Sequence, residues 1–243
     1  MNLPQCEINF VGENFAEEIL IVSGGRKPEA IFFSEVAKER KILAVDRGIE
    51  LCHAAKIFPE VLIGDFDSAE KNSVDWAIKN KIPVERHPVD KDFTDLQLAL
   101  NFAEKNYKKN SAVVTGTFGG RFDHLFSTIF SCANSNLKIC LADEREIIFF
   151  LKSEEVAEVK FFQKPVAISL LPISETCDGV TIDNVHWQLS GAKLFQKIPN
   201  AISNRLEGDK ITVKLHSGIL AVYFAFTNCN NRQQGVQEFQ LSE

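Results

Sequence analysis

The chain has 243 residues, a formal charge of −6, 45% hydrophobic residues and 25% charged residues. That length suits one large domain or two modest ones, and the composition is that of an ordinary soluble protein, which excludes disorder and a long coiled coil. The acidic balance, with no block of Lys or Arg, excludes nucleic acid as a partner, because such binding rests on neutralising phosphates with basic side chains. A small nucleotide stays compatible, since a divalent cation neutralises its phosphates locally. No apolar run is long enough to span a bilayer and residues 1–11 lack a leader pattern, so no membrane contact and a cytoplasmic location are expected. Six cysteines (6, 52, 132, 140, 177 and 229) form no C-x-x-C pair and the five histidines are scattered, which speaks against zinc and for reduced, mostly buried thiols.

In chain order, strands are predicted at 19–22, 42–45, 61–63, 83–85, 113–115, 138–141 and 147–151. Helical patterns fall between them at 30–37, 51–56, 74–78, 94–103 and 124–132. Strand and helix in alternation predict an α/β domain over residues 1–152, built on a mainly parallel sheet with helices on both faces. Beyond residue 152 the helical period disappears. The runs 158–162, 166–170, 179–182, 210–215 and 218–226 predict a second, antiparallel β-sandwich domain over 153–243, with the charged stretch 152–158 as the linker.

Four acidic clusters stand just beyond predicted strands: Asp46-Arg47-Gly48, Gly64-Asp65-Phe66-Asp67-Ser68, Lys91-Asp92-Phe93-Thr94-Asp95 and Gly119-Gly120-Arg121-Phe122-Asp123-His124. Open α/β folds place ligands at the carboxyl ends of strands, so these clusters read together as a metal and phosphate site. Asp65 and Asp67 supply hard oxygens of the kind Mg²⁺ takes; alone, the pair reads equally well as a loop bonding its own amides. Thr94 and Gln97 form a capping box ahead of the apolar positions 96, 99, 100 and 103, and a capped helix N-terminus also makes a floor for phosphate. Asp95, in that first turn, gains from the helix field whether or not it ligates a metal. Gly119 and Gly120 would let backbone approach phosphate, with Arg121 as a fork of donors, although the spacing is neither Walker A nor G-x-G-x-x-G. Asp123 and His124 read as capping or packing residues on one view and as ligand contacts on the other. An earlier turn, Ser23-Gly24-Gly25-Arg26-Lys27-Pro28, is a weaker candidate for the same crevice.

In order and spacing, these four clusters resemble the thiamine pyrophosphokinase family, and Gly179-Val180-Thr181, His186-Trp187-x-Leu189 and Ser203-Asn204 are similar to its C-terminal β domain. The resemblance implies transfer of a pyrophosphoryl group from ATP to thiamine, giving thiamine diphosphate and AMP, in a homodimer with its active site at the subunit interface. It implies catalytic roles for Asp46, Asp65, Asp67 and Asp95, with Mg²⁺ held by Asp65, Asp67 and Asp95 and with Asp46 near the reacting phosphates. It further implies nucleotide or phosphate contacts from Gly48, Lys91, Asp92, Thr94, Gly119, Gly120, Arg121, Asp123 and His124. Thiamine contacts would come from Trp187, Ser203 and Asn204, whereas on its own pattern Trp187 reads as a sandwich core residue. Arg47 and Ile49 flank Gly48 where the family more often has small residues. Two other readings stay in view: a haloacid-dehalogenase-like phosphatase with a nucleophilic aspartate, and a non-catalytic thiamine or nucleotide sensor.

Overall fold

The computed structural model of the protein describes residues 1–88, 90, 92–107 and 111–226. The chain runs β1 (Cys6–Phe10), β2 (Glu18–Val22), α1 (Ala30–Ala37), β3 (Lys41–Val45), α2 (Gly48–Ala55), β4 (Val61–Gly64), α3 (Lys71–Lys79) and β5 (Val84–Arg86). It continues through α4 (Asp95–Asn106), β6 (Ser111–Thr115), α5 (Phe122–Asn134) and β7 (Lys138–Ala142). Among the described residues only strands follow: β8 (Glu146–Lys152), β9 (Glu155–Phe161), β10 (Ala167–Pro172), β11 (Thr176–Ile182), β12 (Leu189–Phe195), β13 (Lys210–Leu215) and β14 (Ile219–Ala225). The alternation of strand and helix and the later change to β are both present.

A nine-stranded sheet has the order β10-β14-β8-β7-β6-β2-β3-β4-β5. From β7 to β5 neighbouring strands are parallel, and β8, β14 and β10 continue the sheet antiparallel. The central parallel strands are buried on both faces, which is why they read as continuous apolar runs instead of alternating. Along β2, Leu20 and Val22 join the core under α1, α2 and α3, while Ile19 and Ile21 join the core under α4 and α5. The chain steps from β2 through β3 and β4 to β5, then returns to the other side of β2 to lay down β6. The β2/β6 boundary is therefore a switch point, where such sheets leave a crevice at their carboxyl ends.

The second sheet has five antiparallel strands in the order β1-β9-β13-β11-β12. Its buried residues Ile8, Phe10, Val159, Ile211 and Val213 share one core with Phe149, Val222 and Phe224 of the antiparallel end of the large sheet. The sandwich predicted after residue 152 thus borrows its second layer from the first sheet, and the strands do not divide between sheets at that residue. The expected linker at 152–158 is a correction. Residues 153 and 154 turn, with Glu154 at φ 66°, and Glu155 begins β9, which pairs with both β1 and β13. Its charges mark the outward face: Glu158 and Lys160 are exposed while Ala157, Val159 and Phe161 are buried.

Cys6, Cys52, Cys132, Cys140 and Cys177 are buried free thiols, and Cys229 lies outside the described residues. Among the described residues no helix is long and apolar enough to cross a membrane.

Candidate active site

Asp46, the first residue after β3, adopts φ 44°, a left-handed conformation that aspartate tolerates better than most side chains. Its amide donates to the Ile63 carbonyl at 2.9 Å, which ties the end of β3 to that of β4. β4 closes with Gly64 at φ 143°, and a Cβ there would stand 3.2 Å from Asp95 Oδ1 and 3.4 Å from the Asp46 nitrogen. Glycine lets the start of α4 close on both strand ends. Asp65 and Asp67 follow, separated by buried Phe66, whose ring lies 5.3 Å beneath the Arg86 guanidinium. One carboxylate oxygen each from Asp46, Asp65 and Asp67 then falls within 4.8 Å of the others.

Ser68 Oγ donates to Asp46 Oδ2 at 2.7 Å, whereas Asp46 Oδ1 is buried with no hydrogen-bond partner among the described residues. Burial holds the Asp46 carboxyl above the usual aspartate range; hydrogen bonds from Ser68 and the Arg47 amide oppose that rise, and Asp95 and Asp65 add to it. Hard oxygens crowded together, one of them buried and unsatisfied, fit Mg²⁺. Asp46 thus joins the Asp65 and Asp67 pair, and Asp95 stands against Gly64 beside them.

At the switch point the loops after β2 and β6 are sewn together by backbone: Ser23 N to Thr115 O at 2.9 Å, Gly25 N to Gly116 O at 2.6 Å and Arg26 N to Phe118 O at 2.7 Å. Gly116, at φ 72°, is required here, since its Cβ would sit 2.3 Å from the Ser23 carbonyl oxygen. The weaker Gly24-Gly25 candidate therefore does belong to this end of the sheet. Gly119 packs on the Arg26 side chain, while a Cβ on Gly120 would meet only Gly25 Cα, at 4.0 Å. The buried hydroxyls of Thr115 and Thr117 have no hydrogen-bond partner among the described residues. Arg121 is exposed and its fork is taken by Asp123, with Nη2 to Oδ2 at 2.6 Å and Nε to Oδ1 at 3.1 Å. Asp123 also accepts the His124 amide at 3.0 Å.

The capping box is formed: Gln97 N donates to Thr94 Oγ1 at 3.3 Å and Thr94 N to Gln97 Oε1 at 2.9 Å. Asp92 is exposed, and Lys91 lies outside the described residues.

Sequence reading passed over Glu50. Its side chain is 3% exposed and accepts from Arg47 Nε at 3.1 Å, the Glu70 amide at 3.3 Å and Lys27 Nζ at 3.1 Å. Burial would raise its pKa, but the hydrogen bonds from Arg47, Lys27 and the Glu70 amide outweigh it and hold the carboxyl below the usual range. An acid inside the apolar run Gly48-Ile49-Glu50-Leu51-Cys52 was the available signal.

The family model of the thiamin pyrophosphokinase catalytic domain matches residues 33–141, and that of the thiamin pyrophosphokinase vitamin B1 binding domain matches residues 158–220. The chain belongs to the thiamin pyrophosphokinase family. It is 28% identical to the thiamine pyrophosphokinase of Bacillus subtilis over 83% of this chain and 95% of that protein. A crystal structure of thiamine pyrophosphokinase from Bacillus subtilis superposes with a TM-score of 0.77 at 26% identity, covering 87% of this chain and all of that one. One of thiamin pyrophosphokinase from Geobacillus thermodenitrificans, at 24% identity, shares the fold with a TM-score of 0.75 over 88% and 99%.

Within the stretch matching the vitamin B1 binding model lies a cavity of about 760 Å³, lined by Ile168, Leu170, Ile182, Trp187, Leu189 and Asn204 among others. Trp187 is 57% exposed, so it is a cavity wall and not the core residue its local pattern implied. Asn204 fixes its backbone from both sides, accepting from Trp187 N at 3.0 Å and donating to Trp187 O at 2.8 Å. The Arg205 guanidinium lies 5.4 Å over the indole. Ser203, at φ 58°, does not line the cavity; its amide donates to Ser169 Oγ at 3.1 Å.

Proposed function

We propose that this member of the thiamin pyrophosphokinase family transfers the pyrophosphoryl group of ATP to the hydroxyethyl oxygen of thiamine, releasing AMP. The observation that carries the reading is the convergence of Asp46, Asp65 and Asp67, with a buried unpartnered Asp46 oxygen, at the carboxyl end of the parallel sheet. Neither a phosphatase nor a silent sensor has an observation in its favour.

Asp46, Asp65 and Asp67, with Asp95 beside them, would hold Mg²⁺, which when bound neutralises triphosphate charge and polarises the attacked phosphorus. An alcohol attacking phosphorus needs in-line positioning and charge neutralisation more than a covalent nucleophile. Asp46 Oδ2 already accepts from Ser68, and a loose transition state asks little of a general base. The open backbone at Gly120, the amides at the start of α4 and α5, and the hydroxyls of Thr94, Thr115 and Thr117 would receive the nucleotide, with Arg121 turning from Asp123 to phosphate. In this assignment residues 1–152 handle nucleotide and metal and residues 153–243 handle thiamine. Trp187 would present its face to the cationic thiazolium, Asn204 would hold it there, and Ser203 would shape the loop beside them.

The sheet order supports a homodimer with the site at the subunit interface. The Trp187 cavity abuts β10 at one edge of the large sheet, while Asp46 follows β3, six inter-strand steps away. At about 4.8 Å per step that is roughly 29 Å, too far for direct transfer between the two sites of one chain.

Incubation with ATP, Mg²⁺ and thiamine, followed by chromatography, tests the reading. AMP and thiamine diphosphate are expected, and an Asp65→Ala/Asp67→Ala variant should form them at least ~100-fold more slowly. ADP with thiamine monophosphate, or no product from the wild type, would overturn it.

A further inference from the structure

Three loops at the carboxyl end of the sheet meet on one buried carboxylate. Glu50 receives Lys27 from the loop after β2, Arg47 from the loop after β3 and the Glu70 amide from the loop after β4. Arg47 caps α2 directly after Asp46, and its Cβ packs against Gly24 so closely that a side chain on that glycine would stand 2.6 Å away. Arg47 and Lys27 are 45% and 59% exposed, while the Glu50 carboxylate they share is not. Two cations bound to one carboxylate leave a net positive charge, and a guanidinium engaged chiefly through Nε keeps its Nη1 donors for another acceptor. Elsewhere at this end Arg26 is committed to Asp143 and Glu146 and Arg86 to the ring of Phe66, while Arg121 must first leave Asp123 to reach phosphate.

We propose that Arg47, with Lys27 beside it, forms the cationic wall that receives the polyphosphate of the nucleotide across from the acidic cluster, and that Glu50 is the positioning residue that aims them. The inference rests on the nucleotide reading of this site. An Arg held by a buried carboxylate is already ordered, so little side-chain freedom is lost when phosphate binds.

Calorimetric titration of Mg²⁺-ATP and, separately, of thiamine into the full-length wild type, Arg47→Ala, Lys27→Ala, Glu50→Gln and the Arg47→Ala/Glu50→Gln double variant tests this. Arg47→Ala should weaken ATP about 10-fold and Lys27→Ala about 3-fold, with thiamine affinity changed less than twofold. Glu50→Gln should approach the Arg47→Ala value, and the double variant should be no weaker than about 10-fold, because Glu50 acts through Arg47. Arg47 is exposed, so Arg47→Ala reports even if Glu50→Gln proves unstable. Unchanged ATP affinity in Arg47→Ala, a double variant weakened about 100-fold, or equal losses for ATP and thiamine would each overturn the proposal, as would a wild type that binds no ATP. A wild type that binds ATP but forms no thiamine diphosphate would instead sink the functional reading and leave this assignment standing.

Discussion

Asp46 carries opposing demands in one side chain. It is pushed toward neutrality by burial and by neighbouring acids, yet among the described residues its buried Oδ1 has no hydrogen-bond partner. A carboxyl whose pKa is raised on folding stabilises fully below its unfolded value, near ~3.9, and that contribution is lost as pH rises through the folded value. At neutral pH its charge is therefore a cost in the metal-free protein. Metal-free Asp46→Asn should accordingly melt on the order of 1–3 °C higher than the wild type at pH 7, with the gap closing as pH falls toward that unfolded value. Added Mg²⁺ should raise the wild-type melting temperature and barely move the variant. Calorimetric scans with and without Mg²⁺ check both, and a lower melting temperature for the metal-free variant would remove the argument. Local spacing made Asp65, Asp67, Thr94 and Gln97 legible in the sequence. The entry of Asp46 into the triad was not, because it depends on the parallel pairing of Val45 with Ile63. Glu50 left a mark in the sequence as an acid inside an apolar run, but its partners did not, since they arrive from three separate loops.

Helices and strands here meet at very short range. The first residue of α2, Gly48, lies so close to β2 that an added Cβ would fall 1.9 Å from the Val22 carbonyl oxygen and 2.6 Å from its carbon. Both are backbone atoms at the center of the sheet and have nowhere to go. Gly48→Ala should therefore cost at least ~3 kcal/mol, lowering the melting temperature by roughly 6–12 °C and disturbing the acid that precedes it. Thermal scans and the turnover assay measure both effects; a variant that melts within about 2 °C of the wild type, a cost of roughly 1 kcal/mol or less, would show that the helix slides freely. In the sequence the turn before α2 looked like a ligand loop and the helix seemed to begin only at Leu51. The hydrophobic period could not register a glycine placed for backbone clearance. β12 escaped notice because it lies at the edge of the five-stranded sheet with little buried area, and β1 because five residues with alternating burial mean little without the partner they pair with.

Over the whole molecule, the change of rhythm near residue 152 and the passage from parallel to antiparallel β structure were legible, but which strand joins which sheet was not, since pairing across the sequence leaves no local mark. β1 joins the second sheet and β10 and β14 extend the first. On the proposed assignment of the two sites, their separation across the large sheet asks for self-association. Sedimentation velocity at micromolar concentration should give a dimer, and a monomer that nevertheless turns over at full rate would refute the interface site. The pairing of β1 with β9, from Cys6 opposite Phe161 to Phe10 opposite Ala157, also orders events on the ribosome. β1 is made before every other strand of the two sheets and cannot find its partner until about 150 more residues have been added, roughly 7–30 s at cellular elongation rates. For that interval its apolar face, Cys6, Ile8 and Phe10, is a strand edge in search of a neighbour, so nascent chains halted before β9 are the form of this protein that a chaperone would be asked to hold.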